Sequence, residues 1–154
     1  MNVPIAVSPA YVRALTLMRQ PVPDCKAALV LLREAVASGS PEASYALGTW
    51  YLFGQCGLRR NAKSARKLIE SAAKAGVPDA LMDFGVMCEK GDGGPVDFLT
   101  AYRCYIEAAL RGDKQAVFEV ARCLYYGIGC ETDRCLADIW SKRAEELGVY
   151  QTDP

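Results

Sequence analysis

The stretch Asn61–Gly76, NAKSARKLIESAAKAG, reads as one helix carrying its own start and stop. Asn61 offers a side-chain oxygen to the free amides of a first helical turn. Ala62, Ala65, Leu68, Ile69, Ala72 and Ala73 then recur at spacings of three and four, which makes an amphipathic helix with a stripe of small residues. Gly76 stands where a left-handed C-terminal cap is needed. Working outward, the same template appears four times. Gly39, Gly76, Gly112 and Gly148 are separated by 37, 36 and 36 residues. Eleven residues before each lies Ala28, Ala65, Ala101 or Ala137, and four before each lies Ala35, Ala72, Ala108 or Ala144. Fifteen before each lies Asp24, Asn61, Asp97 or Asp133. Such agreement across four copies makes the chain a repeat protein, an architecture that builds extended binding surfaces more readily than enclosed catalytic pockets.

After each glycine a short link leads into a second helix, with Pro41 and Pro78 in first turns where a missing N–H costs nothing. This helix opens with Ala43, Ala80 or Ala116. It continues through Leu47, Phe84 or Val120 and the small residue Gly48, Gly85 or Ala121, and ends near Gly54, Gly91 or Gly127. Small residues on both helices predict close crossings. The expected domain is therefore a single all-α unit over residues 1–154, with about four helix pairs at 8–39, 40–76, 77–112 and 113–148 and tails at 1–7 and 149–154. The first pair begins with a helix over Pro9–Arg19, capped by Ser8 and broken by Pro21 and Pro23. The last helix, Arg134–Leu147, is charged enough to serve as a terminal cap facing water.

Composition narrows the function. Eighteen basic residues balance eighteen acidic ones, so no global field draws the chain to nucleic acid or to an anionic membrane. Arg59, Arg60, Lys63, Arg66 and Lys67 form a local basic cluster, best read as a solvated helix edge. No window approaches the ~18 apolar residues of a membrane span. Met1–Gln20 shows no signal-peptide pattern. Seven irregularly placed cysteines fit a reducing cytosol better than a disulfide framework, so a cytoplasmic location is expected. Histidine is absent, which removes the commonest general base and metal ligand. No catalytic residue, metal site or cofactor is expected. The run Gly91, Asp92, Gly93, Gly94 lacks the flanking strand and the Gly-Lys-Ser/Thr of a phosphate loop.

The pattern A-x3-L-G-x2-Y-x2-G, a capping Asp, then K-A and a terminal A-A-x2-G resembles the Sel-1-like repeat family over about residues 8–148. Ala43, Leu47, Gly48, Tyr51 and Gly54 match its first half, and Ala65, Ala72, Ala73 and Gly76 its second. The third copy departs at Cys88 and the fourth at Ala121 and Leu124. The resemblance implies a right-handed α/α superhelix, a tetratricopeptide-like solenoid, acting as an adaptor for protein complexes, often in bacteria. One branch of the family is secreted and staples each repeat with a disulfide between neighbouring helices. Ala73, Ala80, Ala109 and Ala116 stand at those positions here, so that chemistry is not carried over.

In tetratricopeptide-like stacks the helix after the repeat glycine lines the groove. The resemblance thus implies partner-binding positions three before and one, four and five after the small residue. These are Tyr45, Thr49, Leu52 and Phe53 in one copy, Met82, Val86, Glu89 and Lys90 in the next, and Phe118, Arg122, Tyr125 and Tyr126 in the last. The expected function is a non-catalytic scaffold that holds a protein or peptide partner through aromatic anchors oriented by a few charges. A cysteine-based redox or metal-binding protein is the alternative, with Cys25 and Cys135 at helix starts that favour thiolates and Cys56 and Cys130 in loops. A self-assembling homo-oligomer is the third reading.

Overall fold

The computed structural model describes residues 7–150; the remainder of the two expected tails lies outside them. Eight α-helices and one 3-10 turn are found among the described residues, and they fall into two compact units that meet in sequence at Val77 and Pro78. The first holds α1 (Pro9–Met18), α2 (Cys25–Ala37), α3 (Pro41–Phe53), a 3-10 turn (Gln55–Gly57) and α4 (Ala62–Lys74). The second holds α5 (Pro78–Lys90), α6 (Phe98–Leu110), α7 (Lys114–Tyr126) and α8 (Arg134–Glu146). Within each unit, every helix packs on its neighbour in sequence.

The helix starts follow the template. Asp24 accepts from the Ala27 amide at 3.0 Å, Asn61 from Ser64 at 3.0 Å, Asp97 from Thr100 at 3.0 Å and Asp133 from Leu136 at 2.9 Å. Helix ends repeat with equal fidelity. The amide after each repeat glycine donates to the carbonyl of the alanine four residues before that glycine: Ser40 to Ala35, Val77 to Ala72, Asp113 to Ala108 and Val149 to Ala144. This is the 6→1 bond of a Schellman cap. Gly76 makes it at φ +86°, where an L side chain is strained. The second of the two alanines therefore has a double role: its methyl packs while its carbonyl closes the helix.

The eight template alanines are at most 1% exposed, so the small-residue stripe is the core itself. In the first unit Ala14, Ala28, Leu32, Ala35, Ala43 and Leu47 form one cluster, with Trp50 and Tyr51 packed against its edge. The crossings between α3 and α4, and between α5 and α6, are tight for a different reason from the caps. A Cβ on Gly48 would lie 2.6 Å from Ile69 Cγ1, and one on Gly85 would lie 2.6 Å from Tyr105 Cε1. The facing residues occupy the same template position, one after Leu68 and one after Cys104. In the last copy Ser141 stands there, and the opposing small residue is Ala121 rather than glycine.

The cysteine reading needs correction. Cys25 and Cys56 are joined by a disulfide, with Cα atoms 5.2 Å apart and a separation of 31 in sequence. The pair links the start of α2 to the 3-10 turn after α3, two segments that only the packing of α2 on α3 brings together. Cys88, Cys104 and Cys123 are buried, Cys130 is half-buried and Cys135 is exposed. Helix bounds differ slightly from expectation: α1 ends at Met18, with Arg19 as its C-cap, and α8 ends at Glu146.

The fully buried Tyr105 ring is held at its hydroxyl and cannot swing aside. Gly85→Ala is therefore expected to lower the unfolding free energy by about 1–3 kcal/mol in urea titrations. Gly39→Ala, where no atom lies within 4 Å of the added methyl, is expected to lose stability only through its φ of +88°.

Candidate interaction face

The expected partner-facing residues lie on α3, α5 and α7, one helix of each template copy. None of the twelve is buried. Tyr45, Thr49, Leu52, Met82, Val86, Glu89, Phe118 and Arg122 are half-buried, and Phe53, Lys90, Tyr125 and Tyr126 are exposed. Their helical neighbours Leu47, Gly48, Phe84, Gly85, Val120 and Ala121 are all buried. The division follows from the 3.6-residue period, since positions −3, +1, +4 and +5 form one contiguous face that flanks the small residue, roughly 40° to 140° around the helix from it.

In the second unit, α5, α6 and α7 bring several of these residues to one cavity of about 310 Å³, lined by Val86, Glu89, Lys90, Tyr105, Glu119 and Arg122. Arg122 is its centre. Its guanidinium donates to Glu89 Oε2 at 2.7 Å and to Glu119 Oε2 at 2.8 Å, while the Tyr105 hydroxyl donates to the same Glu89 oxygen at 2.9 Å. Burial alone raises the Glu89 carboxyl pKa, but the bonds from Arg122 and Tyr105 outweigh it and hold the carboxyl below its ordinary value. The Tyr105 hydroxyl is pushed up, first by burial and then by its bond to Glu89. Burial would lower the Arg122 pKa, yet its two carboxylate partners raise it. All three shifts keep the charge pattern fixed near neutral pH. Cys123, buried behind this face, is raised to about 12, mainly by burial, and stays a thiol.

On the other side of Arg122 lies a second opening of about 310 Å³, lined by Phe118, Ala121, Arg122, Tyr125, Tyr126 and Ser141. Phe118 and Ser141 continue into a smaller one of about 170 Å³ with Ala144, Glu145, Val149 and Tyr150. The Tyr125 and Tyr126 rings meet edge to face at 4.8 Å, and the Arg134 guanidinium sits 4.4 Å from the Tyr125 ring centre while donating to its hydroxyl at 3.2 Å. The face thus passes from a polar cluster at Glu89 and Arg122 to an aromatic one at Phe118, Tyr125 and Tyr126. In the first unit, Tyr45, Thr49, Leu52 and Phe53 occupy the corresponding face of α3, where the Thr49 hydroxyl donates back to the Ala46 carbonyl at 2.7 Å.

Tyr105, Glu119 and Arg134 were not among the expected site residues. Tyr105 occupies a core position, where only its hydroxyl signals a need for a polar partner. Glu119 had a local signal, its i,i+3 spacing from Arg122. Arg134 opens α8 and reaches Tyr125 only through the α7–α8 turn. Among the described residues, no group of three or more acidic or cysteine side chains is arranged to hold a metal, and no helix is long and apolar enough to cross a membrane.

Three consecutive segments, residues 41–77, 78–113 and 114–149, match the model of the Sel1 repeat. They correspond to α3–α4, α5–α6 and α7–α8, so the α1–α2 pair precedes the matched repeats. A search of curated proteins returned no match. Among solved structures, the chain is similar to a protective antigen present in uropathogenic Escherichia coli strains that displays an SLR fold. The identity is 26% and the TM-score 0.84, over 90% of this chain and 30% of that one. The chain thus spans less than a third of that protein's length. It is also similar to a Sel1 repeat protein from Oxalobacter formigenes, at 32% identity and a TM-score of 0.69, over 78% of this chain and 90% of that chain. The all-α fold of paired helices is common to them.

Because Glu89 titrates below its ordinary value of 4.5 in the folded chain, its contribution to stability is complete above that pH. It is lost as the pH falls through the lower folded value. Thermal melts across the acid range are expected to show a steeper fall for the natural chain than for Glu89→Gln.

Proposed function

The chain belongs to the Sel1 repeat family, and from that premise we propose that it is a non-catalytic scaffold for protein interaction. We place its partner on the α7 side of the second unit. The observation that carries this reading is the strip of aromatic side chains left open beside a cavity. Tyr125 is 40% and Tyr126 67% exposed, and with the half-buried Phe118 they line one opening beside Arg122. Aromatic rings at the rim of a pocket bring large apolar area to a contact at little conformational cost. Arg122, held between two carboxylates, adds a fixed polar landmark that orients what lies on the rings.

The partner is a protein segment with apolar anchors for Phe118 and the tyrosine pair, and with polar groups spaced to meet Glu89, Lys90 and Arg122. The α3 residues Tyr45, Thr49, Leu52 and Phe53 are the first unit's share of the same function. A rigid presenting surface suits this role because little ordering cost is left to the moment of binding.

Phe118→Ala and the double change Tyr125→Ala, Tyr126→Ala are expected to weaken capture of the partner by about tenfold or more, with the helical spectrum and melting temperature nearly unchanged. Crosslinking and affinity purification from the source cell, followed by titration calorimetry on the recovered protein, measures this. Equal affinity of natural and variant chains, or loss of fold in the variants, removes these residues from the binding face.

A further inference from the structure

The turn after α7 shows how one helix pair ordinarily rests on the one before it. Gly129, two residues past Gly127, has φ +69°, and a Cβ there would collide with the carbonyl oxygen of Phe98, the first residue of α6. In the first unit the same template positions are Cys56, two residues past Gly54, and Cys25, the first residue of α2. Glycine packed on a helix start is replaced there by two cysteines joined in a disulfide. Cys56 keeps the left-handed backbone, at φ +53°, and is the one non-glycine residue with positive φ among the described residues. A side chain in that conformation is disfavoured, and the bond to Cys25 holds it.

Both cysteines are half-buried and flanked by the exposed residues Asp24, Lys26, Gln55 and Gly57, so a small thiol reaches them. Cys25 opens α2, where the helix N-terminus favours its thiolate. Arg59 and Arg60, exposed in the same loop, give glutathione carboxylates a cationic approach.

We propose that Cys25 and Cys56 are a reversible thiol–disulfide latch that fastens the α3–α4 loop to the start of α2, closed by a low-molecular-weight disulfide such as oxidised glutathione. The Cys25 thiolate attacks one sulfur of that disulfide, breaks its S–S bond and expels one glutathione thiolate. The Cys56 thiolate then attacks Cys25 Sγ in the mixed disulfide and expels the second. Two cysteine thiols are oxidised to one disulfide, oxidised glutathione is reduced to two thiols, and the two cysteine protons pass to the released thiolates. Excess glutathione thiol reverses both steps. With the latch open, Cys56 is free to leave its left-handed conformation, and the loop from Gln55 to Asn61 loosens.

The test compares the full chain treated with oxidised glutathione against the chain treated with excess reduced glutathione. Peptide mapping under non-reducing conditions is expected to recover the Cys25–Cys56 link only in the first. Hydrogen exchange across residues 55–61 is expected to be at least about tenfold faster in the second, with α6, α7 and α8 unchanged. Cys56→Gly, which installs the residue of the other copies, is expected to fold and to exchange at a rate independent of glutathione. Cys25→Ser is expected to exchange fast in both conditions. No Cys25–Cys56 link after oxidation, or equal exchange in the two states, overturns the latch. Loss of protection throughout α2, α3 and α4 on reduction overturns it too, because the bond is then a staple of the whole unit.

Discussion

Everything in this molecule depends on how closely two helices approach across a stripe of alanines. Methyl groups at two template positions, one end of the stripe to the other, bring helix backbones near enough that their partners have to be small as well. Hence Gly48 stands against Ile69 and Gly85 against Tyr105. The size relation is reciprocal: where the facing residue shrinks to Ser141, the small residue grows to Ala121. Each pair is tuned as a pair, as expected of interiors packed to near-crystalline density. On α3 and α7 the face flanking the seam is where aromatic residues collect, Tyr45 and Phe53 on the one and Phe118, Tyr125 and Tyr126 on the other.

Most of the fold was legible in the residues because its determinants are local and repeated. Asp24, Asn61, Asp97 and Asp133 cap helices three residues on, and each repeat glycine closes the helix just before it, so spacing alone identifies them. The features that escaped are those joining side chains far apart in sequence. Cys25 and Cys56 look incidental in sequence, because nothing in a 37-residue period says that the start of one repeat's helix meets the turn of the next. Tyr105 had the same ambiguity. Its position announces core, and only the meeting of α5, α6 and α7 shows that its hydroxyl serves Glu89. The candidate face divides likewise. Helical period separates Phe118, Arg122, Tyr125 and Tyr126 from the core, whereas the place of Glu89 beside Arg122 emerges only in three dimensions.

The polar and aromatic parts of that face have different physical characters. Glu89, Arg122, Glu119 and Tyr105 satisfy one another within the chain, so in the proposed role they would give register and discrimination more than raw affinity. Phe118, Tyr125 and Tyr126 keep apolar area in water, and covering it is favourable whatever the partner's charge. In the proposed scaffold role, this separation would let the choice of partner change at the polar end without rebuilding the anchors.

The caps have a consequence for length. Every template helix carries its own starting side chain and its own closing carbonyl, and the closing bond needs from beyond the glycine only a backbone amide, which any residue but proline supplies. Deleting or duplicating a block of 36 residues between equivalent glycines therefore creates no orphaned amide or carbonyl at the junction. Copy number is a free variable of this design, and the reach of the surface can change in whole steps while the chemistry of each step stays the same.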